Sequence, residues 1–126
     1  MILELDEYSE VPIFQQIHDQ IVFGIARGEL PPGTALASVR SLAMDLAINP
    51  ATVKKAYDLL KAEGVIVTTR RDGSMVIEPG EPTPEQVAQL EGDLKVSLAR
   101  ALAQGMDPQA TKEIFQNVLN QFRPAN

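Results

Sequence analysis

The chain has 126 residues, of which 44% are hydrophobic, with no Trp, four Phe and two Tyr, and a net charge of −6. That length suits one domain, or one domain with an appendage, around a mostly aliphatic core. No Cys and a single His exclude disulfides and thiolate metal sites, and the overall acidity argues against a surface coated with phosphate-binding cations.

Residues 1–11 are rich in acids and carry little period. Pro12 opens a helical pattern in which Ile13, Ile17, Ile21 and Ile25 recur at every fourth position, with Phe14 beside them. A proline at the first helical position is pre-set for helix and gives up no needed N–H. Gly28 and Leu30-Pro31-Pro32-Gly33 end the pattern, so a first helix is predicted over 12–27. His18 sits on it beside Ile17 and reads as a surface or hydrogen-bonded histidine rather than a base.

Ser38 is a good N-cap for a second helix, over 39–47, with Val39, Leu42, Ala43 and Leu46 on its apolar face. Asn49 caps a third helix, Pro50 holds its first position, and Val53, Ala56, Tyr57 and Leu60 form its inner face before Gly64 ends it. Two β-branched runs, 65–69 and 74–78, flank Arg70-Arg71-Asp72-Gly73, a strong hairpin signal. Residues 78–86, with three Pro and three Glu, read as a linker. Thr83, Pro84 and Gln86 make a capping-box start for a fourth helix, lined by Val87, Leu90, Leu94, Leu98 and Leu102 to about residue 104. Asp107-Pro108 repeats the cap-plus-proline start, and Ile114, Phe115, Val118, Leu119 and Phe122 line a fifth helix. The order predicts a mainly α fold with a small β-hairpin: a winged helix–turn–helix domain over 1–80, then a helical region over 81–126.

In a winged helix–turn–helix the second helix of the motif enters the DNA major groove, a slot roughly 12 Å wide. Charge placement allows this despite the net acidity. Residues 34–77 hold six cations against four acids, whereas residues 1–33 hold Arg27 against six acids. With Val53 and Leu60 inward, Ala51, Lys55, Asp58 and Ala62 lie opposite, and Thr52 and Lys54 flank them. The lysines then sit where phosphates and base edges would be, and the helix N-terminus adds partial positive charge. Ala51 is small enough for close backbone approach. Arg40, near the start of the second helix, is placed to hold the DNA backbone. Arg70 and Arg71 at the hairpin tip suit flanking phosphates or the minor groove. The plain alternative is a solvated face on a winged-helix module that binds protein and no specific DNA.

Nothing marks an enzyme: no glycine-rich phosphate loop, no telling carboxylate pair, no metal cluster and no cofactor motif. No apolar run of about 18 residues predicts a membrane span, and the N-terminus lacks a signal-peptide pattern. A soluble cytoplasmic protein is the expectation.

The stretch GELPPGTALASVRSLAMDLAINPATVKKAYDLLKAEGVI resembles the winged helix–turn–helix of the GntR family of bacterial transcription regulators. The resemblance rests on Gly28, Leu30, Pro32-Gly33, Leu36, Ser38, Arg40, Leu42-Ala43, Thr52-Val53, Ala56-Tyr57 and Glu63-Gly64, with the lead-in VPIFQQIHDQI matching the family's first helix. Ser38-Val39-Arg40, the Asn49-Pro50-Ala51-Thr52-Val53 run and the short C-terminal part resemble its YtrA-like subfamily. Two positions depart from the pattern: Ala37 replaces the usual Pro, and Arg71-Asp72-Gly73-Ser74 replaces a Gly-x-Gly-Thr wing tip. The resemblance implies DNA contacts from Arg40, Asn49, Ala51, Thr52, Lys54 and Lys55, with Gly73 at the wing. Ser38 stays a cap. Only 46 residues follow residue 80, too few for the large effector domain that most GntR proteins append. YtrA-like members dimerise through two C-terminal helices, which makes the fourth and fifth helices a homodimerisation hairpin. The implied function is a homodimeric repressor on an inverted repeat, with a transporter operon as target. A small-molecule effector would fit between the winged domain and the C-terminal helices, but no polar cluster marks its site.

Overall fold

The computed structural model describes residues 3–122. Along the chain lie α1 (Ile13–Ala26), α2 (Val39–Leu46), α3 (Pro50–Ala62), β1 (Ile66–Thr69), β2 (Gly73–Val76), α4 (Pro84–Ala103) and α5 (Pro108–Phe122). The chain divides into two compact units, one ending at Pro79 and the other starting at Gly80.

In the first unit α1 and α2 both pack against α3. The core gathers Ile17 and Ile21 from α1, Leu42 and Ala43 from α2, and Val53, Ala56, Tyr57 and Leu60 from α3. Ile66 and Val76, directly opposite each other in the antiparallel β1–β2 ladder, close it from the hairpin side. Leu30 and Leu36 fill the space under the connection from α1 to α2. Each buried α3 position is one that the 3.6-residue period assigns to the inner face.

Helix ends follow local chemistry. Pro12 is the N-cap of α1 and not its first residue, so α1 starts one position later than the proline rule predicts. Ser38 Oγ accepts from Ser41 N–H at 3.0 Å to start α2. α2 stops at Leu46 because Ala47 takes a left-handed φ of 55°, which lets Ile48 N–H donate to Ala43 O at 3.0 Å. An alanine pays for that conformation with a Cβ–carbonyl clash that a glycine lacks.

The wing is larger than the sequence pattern indicates. Ala35 bridges Met75, Leu36 N–H donates to Ser74 O (2.9 Å), and Val76 N–H donates to Thr34 O (2.9 Å). Residues 34–36 thus run along the free edge of β2 as a short third strand. The next residue is pinned as well, since Tyr57 O–H donates to Ala37 O at 2.6 Å. Burial of Tyr57 pushes its phenol up to about 12, so it stays a donor.

The acid-rich N-terminal arm is also ordered by specific bonds. Gln20 accepts from Glu4 N–H (2.9 Å) and donates to Glu4 O (2.6 Å). One turn earlier Gln16 does the same for Asp6, at 2.8 and 2.9 Å. Two side-chain amides at i and i+4 act as surrogate strand backbone, and Leu3 and Leu5 pack toward the core.

His18 is buried and satisfied. Its Nδ1 lies 2.8 Å from Asp19 Oδ1, and its Nε2 bonds to Glu63 Oε1 at the far end of α3. Burial works against the charged ring, but the bonds to Glu63 and Asp19 outweigh it and hold the pKa above the ordinary 6.5.

In the second unit the predicted starts are observed. Thr83 and Gln86 exchange side-chain and backbone bonds at 3.1 and 2.9 Å, a complete capping box. Asp107 Oδ2 accepts from Gln109 and Ala110 N–H at 3.0 and 3.2 Å. α4 and α5 touch, with Gly105 at φ 96° in the turn between them. Among the described residues neither helix buries a side chain.

Replacing Ala47 by Gly is expected to raise unfolding free energy by about 1 kcal/mol, read from urea denaturation. His18 gives a pH dependence. A pKa raised by folding means the protonated clamp contributes fully below about pH 6.5 and is lost as pH rises through the raised value. The stability difference between the natural chain and His18→Gln should therefore shrink as pH rises above about 6.5.

Candidate nucleic-acid interface

With Val53, Ala56, Tyr57 and Leu60 committed to the core, α3 has one remaining face. Ala51, Lys54, Lys55, Lys61 and Ala62 are exposed on it, and Asp58 is half-buried among them. Asn49 sets where that face begins. Its Oδ1 accepts from Ala51 N–H at 2.8 Å, and Pro50 follows at the first position. The side chain of Asn49 is thus engaged as a cap.

The two lysines at the heart of the pattern have different surroundings. Lys54 Nζ pairs with Asp58 Oδ2 at 2.6 Å, and Lys61 Nζ lies 3.2 Å from the other oxygen of the same carboxylate. Hydrogen bonds from Lys54 and Lys61 hold the Asp58 carboxyl below its usual range. Lys55 turns the other way. Its Nζ sits 4.1 Å above the ring of Phe14 on α1, a cation–π contact. Together with Pro12, Ile13, Ala51 and Thr52, these two residues line a groove between the N-terminal ends of α1 and α3.

The structure therefore brings Ala51, Thr52 and Lys55 together and sets Lys54 beside Asp58 and Lys61. Arg40 is exposed on α2, where it borders a shallow groove with Ser38, Ser41, Met44 and Asp45. Among the described residues it joins no ion pair. Arg70, Arg71 and Asp72 form the exposed tip between the strands, and Gly73 supplies a φ of 69° where β2 begins. Asp72 N–H donates to Thr69 Oγ1 at 2.9 Å, and the Thr68 and Ser74 hydroxyls bond across the ladder at 2.8 Å. These bonds stiffen a tip that lacks the family's first glycine.

Phe14 and Lys61 are the residues of this candidate interface that sequence reasoning leaves out, and Asp58, which it places on the outward face, gains two lysine partners. Lys54, Asp58 and Lys61 stand at i, i+4 and i+7, a spacing from which the pairing follows. The contact of Phe14 with Lys55 joins two helices and has no local signal. Among the described residues no group of acids and His is arranged to hold a metal ion, and no helix is long and apolar enough to cross a membrane.

Residues 13–76 match the gntR family of bacterial regulatory proteins. The chain belongs to the GntR family. It is similar to the HTH-type transcriptional repressor YtrA of Bacillus subtilis strain 168, at 40% identity over 81 residues, which is 64% of this chain and 62% of that protein. Among solved structures it is similar to YtrA from Sulfolobus acidocaldarius, a GntR-family transcription factor. That similarity has 40% identity and a TM-score of 0.69, over 82% of this chain and 99% of the other. A transcriptional antiterminator from Listeria monocytogenes EGD-e shares the whole fold at a TM-score of 0.88, covering 100% of this chain and 96% of that one at 23% identity. The winged helix–turn–helix followed by two helices is thus the architecture of the GntR chain as a whole. As a GntR protein of YtrA-like type, it is a DNA-binding transcription regulator and not an enzyme.

The capping geometry of Asn49 separates stability from recognition. Asn49→Ala is expected to lower unfolding free energy by about 1 kcal/mol. Asn49→Asp keeps the acceptor and the stability, yet it puts an anion at the start of α3 and should weaken DNA binding. Chemical denaturation and fluorescence anisotropy on the same variants check the pair of outcomes.

Proposed function

We propose that this GntR protein is a homodimeric repressor. Each subunit seats α3 in the major groove of one half of an inverted repeat, about one helical turn from the other half, and the bound dimer blocks transcription. In this reading Lys54, Lys55, Thr52 and Ala51 face the groove, Arg40 and the N-terminal end of α3 hold phosphates, and Arg70, Arg71 and Gly73 reach the flanking backbone.

The observation that carries the dimer is the exposure of α4 and α5. Leu90 is 59% exposed, Leu102 47%, Ile114 48% and Phe115 44%. Val87, Leu98, Val118 and Leu119 are likewise exposed, Leu94 and Phe122 are half-covered, and none of the ten predicted dimerisation residues is buried. Leu94, Leu98 and Leu102 line an apolar groove with Pro108 and Phe115. Two helices with such stripes need a partner surface, since a hairpin of this size cannot bury both stripes in itself. A second copy offers the same stripes in a self-complementary arrangement.

Repression is supported by the likeness to B. subtilis YtrA, which is named a transcriptional repressor. The family resemblance points to a transporter operon as the target.

Selection of bound duplexes from random DNA tests the reading as a whole. The expected result is an inverted repeat whose half-sites lie about ten base pairs apart. On the recovered site, Lys54→Ala and Arg40→Ala should each weaken binding and reduce the slope of log K against log salt by about one unit. Leu98→Asp should convert a dimer at micromolar concentration to a monomer in sedimentation and lower DNA affinity steeply. A monomeric natural chain, or affinity indifferent to salt, would sink the proposal and favour a protein-binding module.

A further inference from the structure

The acid on the outward face of α3 calls for a reason. Asp58 stands on the one side of α3 free of the core, and a carboxylate there opposes any phosphate brought near it. Support of the helix explains it only in part: Asp58 precedes Lys61 in the favourable order, but the shorter pair is with Lys54. Lys54 precedes Asp58 by four residues, the weaker orientation for such a pair, because the acid is then the residue nearer the helix C-terminus. Aspartate is also a middling helix former. What the carboxylate does with its two oxygens is distinctive: one holds Lys54 at 2.6 Å and the other holds Lys61 at 3.2 Å. Lys54 and Lys61 are exposed and the half-buried Asp58 still leaves its carboxylate reachable by solvent, so each pair is of the readily exchanged kind. Lys55 stands apart from this set, over Phe14.

We propose that Asp58 is an internal phosphate mimic that occupies Lys54 and Lys61 in the free protein and so suppresses binding to non-cognate DNA. A duplex must displace the carboxylate before either lysine can reach a phosphate. Cognate DNA does so because groove contacts from the rest of α3 add to the exchange. Non-cognate DNA offers phosphates alone, and for it the exchange gains little. Asp58 is thus a positioning and specificity-determining residue that acts through the two lysines. The inference rests on the reading of α3 as the groove-facing helix.

The test measures affinity of the 126-residue chain for its selected operator and for a scrambled duplex of equal length, across a range of salt concentrations. Asp58→Asn should tighten the scrambled duplex by about five- to tenfold at low salt, from the release of two exposed pairs. It should also steepen that duplex's salt slope by about one unit per lysine freed. The operator should gain less, so the ratio of the two affinities falls. Asp58→Glu, which still reaches both lysines, should stay close to the natural chain in both ratio and slope. Adding Lys54→Ala to Asp58→Asn should remove most of the gain, since the two positions act as one coupled unit.

Unchanged binding to scrambled DNA in Asp58→Asn overturns the proposal. So does a loss confined to the operator, which would make Asp58 a direct acceptor for a cytosine amino group. If Lys54→Ala alone leaves operator affinity and salt slope untouched, the assignment of α3 as the reading helix fails, and this proposal fails with it. Thermal unfolding of each variant keeps these outcomes apart from loss of fold.

Discussion

Everything in the first unit is arranged around the seating of α3. Val53, Ala56, Tyr57 and Leu60 are each no more than 2% exposed, and α1 and α2 pack on them from two sides. Ala56 is fully buried, so the neighbouring elements come close enough to leave room for a methyl group only. A larger side chain there would push α3 outward at a cost of about 1–3 kcal/mol and turn its outer face. Tyr57 extends the constraint beyond the core. Its hydroxyl holds the carbonyl of Ala37, and the residue after Ala37 is the cap of α2. A single aromatic residue on α3 thereby locates the short third strand of the wing and the first turn of the helix–turn–helix. The chemistry available to the groove is then whatever stands at 51, 54, 55, 58, 61 and 62.

Net charge misrepresents this surface. The chain carries −6, but six of its acids fall in residues 1–33. There the backbone of Glu4 and Asp6 is fastened to Gln20 and Gln16. Fastening matters, because a loose acidic arm would sample the space around α3. At physiological salt the reach of an exposed charge is about 8 Å, so acids held on α1 act locally. On α3 itself Asp58 offsets two lysines and Phe14 holds a third. The cationic charge of α3 is thus distributed by pairing geometry and not by the sum of charges.

The helices are legible in the sequence because each start is written in local chemistry. Asn49-Pro50, Thr83-Pro84 and Asp107-Pro108 all put an acceptor before a proline, and all three acceptors are engaged with the expected N–H groups. The wing is legible in part: Asp72-Gly73 marks the turn, but the third strand at 34–36 follows Pro-Pro-Gly and is too short to show alternation. The Gln16 and Gln20 ladder has no period, since amide side chains bonding backbone look like any polar residues in a sequence. Contacts such as Phe14 with Lys55 and His18 with Glu63 join residues far apart in the chain, and only the packing of α1 on α3 creates them. The Lys54–Asp58 pair is the intermediate case: its spacing is plain, yet spacing alone leaves open whether an acid is a solvated residue or a partner.

In the proposed assembly the two units share one energetic logic. A helix pair in which no described side chain is fully buried ties its own order to association, so the fraction assembled depends on protein concentration. A reading helix whose lysines are already occupied binds one half-site weakly. Joining two such helices turns the second binding event into an intramolecular one, with an effective concentration set by the dimer. Weak single contacts then multiply on an inverted repeat and fade elsewhere, because only the repeat engages both copies at once. Stronger lysine contacts on each half would erode that difference, since they would raise affinity for any phosphate backbone. In that assembly, restraint on α3 and exposed apolar stripes on α4 and α5 would be complementary features: the first would keep one copy from binding indiscriminately, and the second would supply the other copy that makes the correct site tight.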